Sequence, residues 1–203
     1  MAWTKVKTVM VVGACVLVAG ATAVILYSME GHMRSIPTDW TVIDGDRAQW
    51  KWANGKITAH STTGETILAS GREYREVTLS AIAGTTNREA SLAFRLQDAN
   101  NGYLVIFAPA GTPREDAGCI LLIKKTEGTE VTLASYQGRV FSKLGQSAKI
   151  AVTAQGSAIE VHLNNVRVLR VMDTTYATGL IGLRIFGDPE YPCDATFASI
   201  TFH

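Results

Sequence analysis

This chain lacks an excess of charge of either sign. Its 203 residues hold 19 lysines and arginines against 18 aspartates and glutamates, and no basic stripe with interleaved aromatic side chains occurs. A protein that binds nucleic acid normally shows a clustered positive footprint. The balanced and dispersed charge therefore argues against nucleic acid as a partner.

Cysteine is equally scarce. Three cysteines occur, and one of them, Cys15, lies in an uncharged N-terminal run. No cysteine or histidine has the spacing of a zinc site. The other two cysteines, Cys119 and Cys193, both stand just ahead of predicted strands. In an oxidising compartment they could form a disulfide, and the alternative is two free thiols.

The motifs of common hydrolases are also missing. No G-x-S-x-G nucleophile elbow occurs, and none of the four histidines accompanies a serine or cysteine in such an arrangement. Glycoside hydrolysis normally needs two carboxyl groups about 5–10 Å apart, which on one strand means residues i and i+2. Glu73 and Glu76 are three positions apart and would face opposite ways, while Glu160 is alone on its strand. We therefore predict no catalytic residues, and the interpretation leans against an enzyme.

One local pattern could hold a metal ion. Asp44-Gly45-Asp46 offers two carboxylates of the kind that Ca²⁺ prefers. The same tripeptide is also an ordinary turn sequence. We expect no cofactor, with Asp44 and Asp46 as the candidate ligands if calcium is bound.

An uncharged run from Val9 to Tyr27 dominates the N-terminal part. At 1.5 Å per residue it would form about 28 Å of helix, close to the thickness of the hydrocarbon core of a bilayer. Two lysines precede the run, so we expect residues 1–8 to be a short cytoplasmic leader and the chain after the run to be exported. Residues 28–37 are predicted to be a connector and residues 38–203 an extracytoplasmic domain at the cytoplasmic membrane.

A cleavable signal peptide is the alternative interpretation of the same run. Ala19-Gly20-Ala21 and Ala21-Thr22-Ala23 both have the A-x-A form that a signal peptidase accepts. Cleavage there would make the protein secreted. The apolar run continues through residues 24–27, beyond both sites, and this favours a retained single-pass anchor.

Alternating side chains and turn residues predict an all-β domain. In Ser91–Pro109, apolar residues alternate with Arg95 and Gln97 on a first strand, and Asn100-Asn101-Gly102 offers a tight turn into a second strand. Asn54-Gly55 predicts another hairpin. About a dozen short strands follow one another at a regular spacing, with no amphipathic helical window after residue 37. This pattern selects an antiparallel two-sheet β-sandwich.

Three segments near the C-terminus resemble a known group of domains. They read AIEVHLNNVRVLRVMD, TGLIGLRIF and ATFASITF, and the hairpin FRLQDANNGYLV precedes them. This order is similar to that of concanavalin A-like, laminin-G-like jelly rolls, and among these to the 3-keto-disaccharide hydrolase-like group related to family 16 glycoside hydrolases. The resemblance covers residues 40–202. It implies a jelly roll with one concave sheet that can bind carbohydrate. The Glu-x-Asp-x-x-Glu run of family 16 is absent, so no catalytic pair is carried over.

Sugar recognition uses aromatic faces together with fixed amide, guanidinium and carboxylate groups. The predicted ligand-binding residues are Trp50, Trp52, Arg95, Gln97, Asn101, Tyr103 and Arg184. Both arginines alternate with apolar residues, so we expect them to point outward from the sandwich. The favoured function is a membrane-anchored, lectin-like module that binds carbohydrate or another cell-envelope ligand. The alternatives are a glycoside hydrolase and a structural domain of an envelope assembly.

Overall fold

Two antiparallel sheets of seven strands each form the domain, as the alternation of side chains predicted. The computed structural model describes residues 39–110, 118–138 and 146–203, which all belong to one compact unit. In order across the sheet, the strands of sheet A are β1 (Thr41–Asp44), β4 (Gly64–Tyr74), β13 (Gly179–Gly187), β6 (Glu89–Asp98), β7 (Asn101–Ala108), β8 (Cys119–Thr126) and β9 (Thr129–Gln137). Those of sheet B are β12 (Val166–Met172), β11 (Ala158–Leu163), β10 (Ser147–Gln155), β5 (Val77–Thr85), β14 (Cys193–Phe202), β3 (Lys56–Ser61) and β2 (Trp50–Ala53). A single 3₁₀ turn, Arg47–Gln49, precedes β2.

The two sheets pack face to face through one apolar core. Phe94 and Tyr103, which pair across the β6–β7 hairpin, stack with ring centroids 5.2 Å apart. Leu79 and Phe197 fill the facing side from sheet B and are completely buried. Full burial of each such side chain stabilises the fold by about 1.5–3 kcal/mol. The inner half of the predicted alternation is therefore confirmed.

The outer face of sheet A, the face turned away from sheet B, is also largely apolar. It carries a second cluster of buried residues, among them Ile67, Ala93, Leu104, Ile106 and Ile123. Strands buried on both faces read as continuous apolar runs, and β7 and β8 are of this kind. The middle of sheet A is therefore buried on both faces.

The central hairpin turns one position earlier than predicted, at Ala99–Asn100. Of the expected turn residues, Gly102 has a positive φ (152°) but Asn100 and Asn101 do not. The other departure is at Arg95, whose φ of 49° is left-handed and where the register between β6 and β7 shifts. A β-bulge at this point redirects the Arg95 side chain.

The predicted leader, apolar span and connector, residues 1–37, lie outside the described residues. Within the described ranges, no helix is long and apolar enough to cross a membrane.

Candidate functional site

A cluster of charged side chains interrupts the apolar outer face of sheet A. Its centre is Arg184 on β13, which alternates with the core residues Leu183 and Ile185 and therefore points outward, as predicted. The neighbouring strands supply Glu65 on β4 and Glu89 on β6. The β8–β9 hairpin supplies Lys125 on β8 and Glu130 on β9, which are directly opposite each other in the register of the two strands. We call these five residues, Glu65, Glu89, Lys125, Glu130 and Arg184, the charged cluster.

The guanidinium of Arg184 bonds three carboxylates. Its Nε lies 2.6 Å from Glu65 Oε2, its Nη2 lies 3.2 Å from Glu130 Oε1, and its Nη1 donates to Glu89 Oε1. Lys125 donates to the other oxygen of Glu65. The Arg184 side chain is 4% exposed and that of Glu130 31% exposed. The cluster is therefore buried at Arg184 and most accessible at Glu130.

The ion pair between Glu65 and Lys125 shows that sheet A is curved. Strands β4 and β8 are separated by three other strands, which in a flat sheet would place them about 19 Å apart. A lysine and a glutamate cannot span that distance, yet the two side chains form an ion pair. Sheet A must therefore curve with its outer face concave, and the charged cluster lies on that concave face.

The charges within the cluster influence one another. Burial of Glu65 would raise the pKa of its carboxyl group, but Arg184 and Lys125 outweigh burial and lower this pKa below its usual value. Glu65 is therefore held as a carboxylate. A group in this state accepts hydrogen bonds and does not serve as a proton donor.

A buried hydroxyl group lies beside this cluster without a bond. Ser91 on β6 is directly opposite Arg184 in the antiparallel register, so both side chains project from the same face. Ser91 is completely buried. Its Oγ is one of the few buried side-chain atoms in the described part of the chain that have no hydrogen-bond partner.

A second polar group closes one end of the sandwich. Tyr103 donates to Asp173 Oδ1, and Lys124 Nζ lies 2.9 Å from Asp173 Oδ2. The backbone N–H groups of Thr175 and Tyr176 donate to Asp173 Oδ1 and to Tyr103 Oη, respectively. The bonds tie the segment after β12 to the ends of β7 and β8. We call this group the Tyr103–Asp173 clamp.

Opposite pKa shifts follow from the clamp. Burial, and next the hydrogen bond to Asp173, raises the pKa of Tyr103 to about 12. Burial would raise the pKa of Asp173 as well, but hydrogen bonds from Tyr103, Thr175 and Lys124 lower it far below its usual range. The clamp therefore holds a neutral phenol against a carboxylate.

Arg95 belongs to the same end of the sandwich and not to the concave face. It is 1% exposed, and its guanidinium donates to the backbone carbonyl groups of Arg75, Gly156 and Tyr176 at 2.8–3.1 Å. The prediction that it points outward was wrong, because the bulge turns its side chain toward three loops. Gln97 donates to Thr178 O at 2.6 Å in the same region.

The other predicted ligand residues are dispersed. Asn101 accepts hydrogen bonds from Tyr176 Oη and Glu127 N. Trp50 is buried in the core, where its Nε1 donates to Thr66 Oγ1 at 2.8 Å. Trp52 is half-buried, and the Arg47 guanidinium lies 4.8 Å from its ring centroid. Four of the seven predicted residues, Arg95, Gln97, Asn101 and Tyr103, therefore lie around residues 173–178 at one end of the sandwich. Arg184 is in the charged cluster, and the two tryptophans lie elsewhere.

The two cysteines do not form a disulfide with each other. Cys193 lies in the inter-sheet core, where its Sγ is 3.3 Å from Thr85 Oγ1. Cys119 lies in the outer-face cluster of sheet A. Because one points into the sandwich and the other away from it, the alternative of a Cys119–Cys193 bridge is excluded. Burial raises the pKa of the Cys193 thiol.

The calcium candidates are engaged in local turns. Asp46 Oδ1 accepts from Ala48 N and caps the 3₁₀ turn, and Asp44 Oδ1 accepts from Gly45 N at 2.9 Å. No group of three or more acidic, histidine or cysteine side chains suited to a metal ion occurs in the described ranges.

Sheet B carries a shallow groove of about 520 Å³ on its outer face. Its lining includes His60 and Asp194, whose Nδ1 and Oδ1 atoms are 2.7 Å apart, and Lys51. Both paired side chains are more than half exposed. The groove offers one solvated hydrogen bond between a histidine and a carboxylate, and no buried polar group of the kind found beside Arg184 is in its lining.

Comparison with known proteins identifies the architecture. No family model matches the chain, and no curated protein matches it in sequence. Among solved structures, the carbohydrate binding module CBM66 from Bacillus subtilis superposes with a TM-score of 0.68 at 19% identity, over 82% of this chain and 96% of that one.

Two further structures share the architecture. A Parabacteroides distasonis protein with a provisional assignment as a glycosyl hydrolase gives a TM-score of 0.56 at 17% identity, over 81% of this chain and 98% of that one. The carbohydrate recognition domain of Emp46p gives a TM-score of 0.56 at 10% identity, over 80% of this chain and 88% of that one. The described domain is therefore a jelly-roll sandwich of the concanavalin A-like kind, as the sequence resemblance implied.

Proposed function

We propose that this protein is a lectin-like module that binds carbohydrate on the concave face of sheet A without cleaving it. The observation that carries the proposal is the arrangement of Arg184 among three carboxylates from three other strands. The jelly-roll fold supports it, because similar structures include a carbohydrate binding module and a carbohydrate recognition domain. Fold alone does not specify function, so the charged cluster carries the argument.

The side chains of the charged cluster are able to form hydrogen bonds with the hydroxyl groups of a sugar. Carboxylate oxygens accept hydrogen bonds from a sugar, and guanidinium and ammonium groups donate to it, with charge-assisted bonds stronger than neutral ones. Their mutual pairing holds the side chains in place, which reduces the ordering cost of binding. A sugar would approach at Glu130, where the cluster is most exposed. Of the residues predicted from sequence, Arg184 belongs to this site, and ligand contacts by the other six stay predictions.

Attachment to the cytoplasmic membrane is a second part of the proposal. The uncharged run Val9–Tyr27 and the lysines before it support a single-pass anchor with residues 38–203 outside the cytoplasm. Membrane fractionation, followed by protease treatment of intact spheroplasts, tests this. We expect the full-length protein in the membrane fraction and digestion of its domain from outside. Recovery of a shortened protein in the medium would support the cleaved alternative.

Glycoside hydrolysis is the second candidate function. It is supported by the convergence of Glu65, Glu89 and Glu130 on one guanidinium, since a pair of nearby carboxyl groups is what such enzymes use. A general acid, however, needs a raised pKa, and that of Glu65 is lowered. Binding therefore fits the electrostatics better than catalysis does.

A glycan array probed with the full-length protein in mild detergent tests the proposal. We expect binding to at least one glycan, and a loss of at least fivefold in Glu130→Gln. Glu160→Gln is the matched control, because Glu160 forms an ion pair with Arg167 on sheet B. Cleavage of a bound oligosaccharide, detected by mass spectrometry, would favour the hydrolase. Absence of binding to every glycan would contradict both functions.

A further inference from the structure

The outer face of sheet B, the face turned away from sheet A, carries an excess of positive charge. The charged residues in the strands of sheet B all lie on this face, because they alternate with residues that pack into the inter-sheet core. They are the cations Lys51, Lys56, Lys149, Arg167 and Arg170 and the carboxylates Glu160 and Asp194. The strands of sheet A hold the same number of cations but six carboxylates. Sheet B is therefore the positive side of the sandwich.

The five cations of this face are available to a ligand. All five residues are exposed. None of the three lysines forms an ion pair with a described residue. Arg167 and Arg170 share one carboxylate, that of Glu160, at 2.9 and 3.5 Å, and their side chains are 53% and 58% exposed. The surplus of positive charge is therefore carried by side chains in contact with water.

Small and uncharged side chains lie between the cations. Thr58 is opposite Lys51 in the strand register, and Ile82, which is 40% exposed, is opposite Lys149 near the middle of the sheet. Seven strands spaced about 4.8 Å apart make a face about 29 Å wide. Cations spread over this width fit an extended anionic surface better than one small ligand.

The sequence before the domain brings such a surface within reach. Trp40 packs against Phe202 on β14 of sheet B, with ring centroids 6.1 Å apart. Eleven residues separate Tyr27, the end of the uncharged run, from Asp39, and they span at most about 40 Å when fully extended. An anchor at that run, as proposed above, would hold the domain within this distance of the bilayer. Anionic lipids attract lysine and arginine close to the membrane surface.

We infer that the outer face of sheet B docks on a membrane surface that contains anionic lipids, with its five cations against the lipid phosphates. Lysine and arginine form charge-assisted hydrogen bonds with phosphate. The inference rests on the proposed membrane attachment and adds the orientation of the domain. Because the outer faces of the two sheets point in opposite directions, a docked domain presents the charged cluster away from the bilayer, toward glycans that lie beyond the membrane.

Isoleucine methyl NMR of the full-length protein in lipid nanodiscs tests the docking. The discs contain phosphatidylcholine alone or mixed with phosphatidylglycerol, and both kinds include a trace of lipid with a gadolinium chelate on its headgroup, which broadens nearby signals. We expect the Ile82 methyl signals to broaden at least threefold more in the anionic discs, and the difference to vanish at high salt, which screens the attraction. The signals of Ile106, on the outer face of sheet A, should broaden equally little in both.

Two double variants make the test specific to this face. Lys51→Gln with Lys149→Gln should reduce the broadening of Ile82 in anionic discs by at least half. The control is Arg72→Gln with Arg75→Gln, which removes the same charge from exposed residues outside sheet B and should leave the broadening unchanged. All four side chains are exposed, so the thermal midpoints should stay at the wild-type value. An equal loss in both variants would overturn the assignment of docking to this face.

The possible failures can be told apart. If the full-length protein did not copurify with the discs, the membrane attachment would be overturned, and the docking with it. Copurification with equal broadening of Ile82 in the two kinds of disc would overturn the docking alone. Shifts of the Ile82 signals on addition of soluble polygalacturonate, without extra broadening in anionic discs, would overturn it in favour of an acidic polysaccharide. Glycan binding on the array is a separate measurement that none of these results decides.

Discussion

Arg184 and Ser91 are directly opposed on the neighbouring strands β13 and β6, yet their bonding states are opposite. The guanidinium of Arg184 bonds three carboxylates, whereas the hydroxyl of Ser91 bonds no described group. The pair thus places a network of ion pairs beside a hydroxyl group that has no described partner.

Replacement of Arg184 by methionine should destabilise the domain strongly. The change removes the guanidinium that bonds both Glu65 and Glu89, and breaking a buried ion pair on one side costs about 3–5 kcal/mol. Chemical denaturation of the full-length protein measures the change in unfolding free energy. Arg167→Met is the control, since Arg167 pairs with Glu160 at the surface and such pairs contribute about 0–1 kcal/mol. Equal effects of the two variants would mean that the Arg184 network contributes no more than a surface pair.

Replacement of Arg95 by alanine should lower the stability of the domain. Three backbone carbonyl groups would lose their donor, and each unsatisfied buried group costs about 1–3 kcal/mol. We therefore expect a loss of about 3 kcal/mol or more by thermal or chemical denaturation. Glycan affinity per folded molecule should not change, because Arg95 does not reach the concave face. A selective loss of affinity with normal stability would instead support the sequence-based prediction of Arg95 as a ligand residue.

Acid should weaken the Tyr103–Asp173 clamp. The pKa of Asp173 is lower in the folded protein than in the unfolded chain, so its contribution is present above the unfolded pKa of about 4 and is lost as pH falls through the folded pKa. Unfolding free energy measured between about pH 7 and pH 2 should therefore fall more steeply in the wild type than in Asp173→Asn. If the unfolding free energies of the two proteins fell in parallel with pH, Asp173 would not stabilise the fold through the clamp. Asp194→Asn, at an exposed pair with His60, is the control.

High pH should remove the stabilising contribution of Tyr103, the other member of the clamp. The pKa of Tyr103 is raised to about 12, above its usual value of about 10. Its contribution is therefore present below about pH 10 and is lost as pH rises through about 12. Ultraviolet titration of tyrosinate should show a late component that is missing in Tyr103→Phe. A late component that persists in the variant would assign it to another tyrosine.

Local features of this fold were predictable from sequence, and long-range ones were not. Asn54-Gly55 forms the expected turn with φ of 52° and 71°, because two adjacent residues determine that geometry. The bulge at Arg95 depends on carbonyl groups from loops at residues 75, 156 and 176, which no local pattern encodes.

The candidate site illustrates the same limit. Glu65, Glu89 and Arg184 are distant in sequence and meet only because β13 lies between β4 and β6. A search for carboxylates two positions apart on one strand therefore overlooked them. A single glutamate directly ahead of residues 90–94, which carry no charge, was the available signal in β6.

Isoleucine methyl NMR of the full-length protein tests, without any substitution, whether carbohydrate binds on the concave face of sheet A. Ile67, Ile106 and Ile123 lie on that face, whereas Ile57, Ile150 and Ile159 lie in the core between the sheets. A neutral oligosaccharide that binds on the array is titrated to saturation. We predict that the methyl signals of Ile67, Ile106 and Ile123 shift the most. Shifts confined to the methyl groups of Ile57, Ile150 and Ile159, with the other three unmoved at saturation, would contradict binding on the concave face.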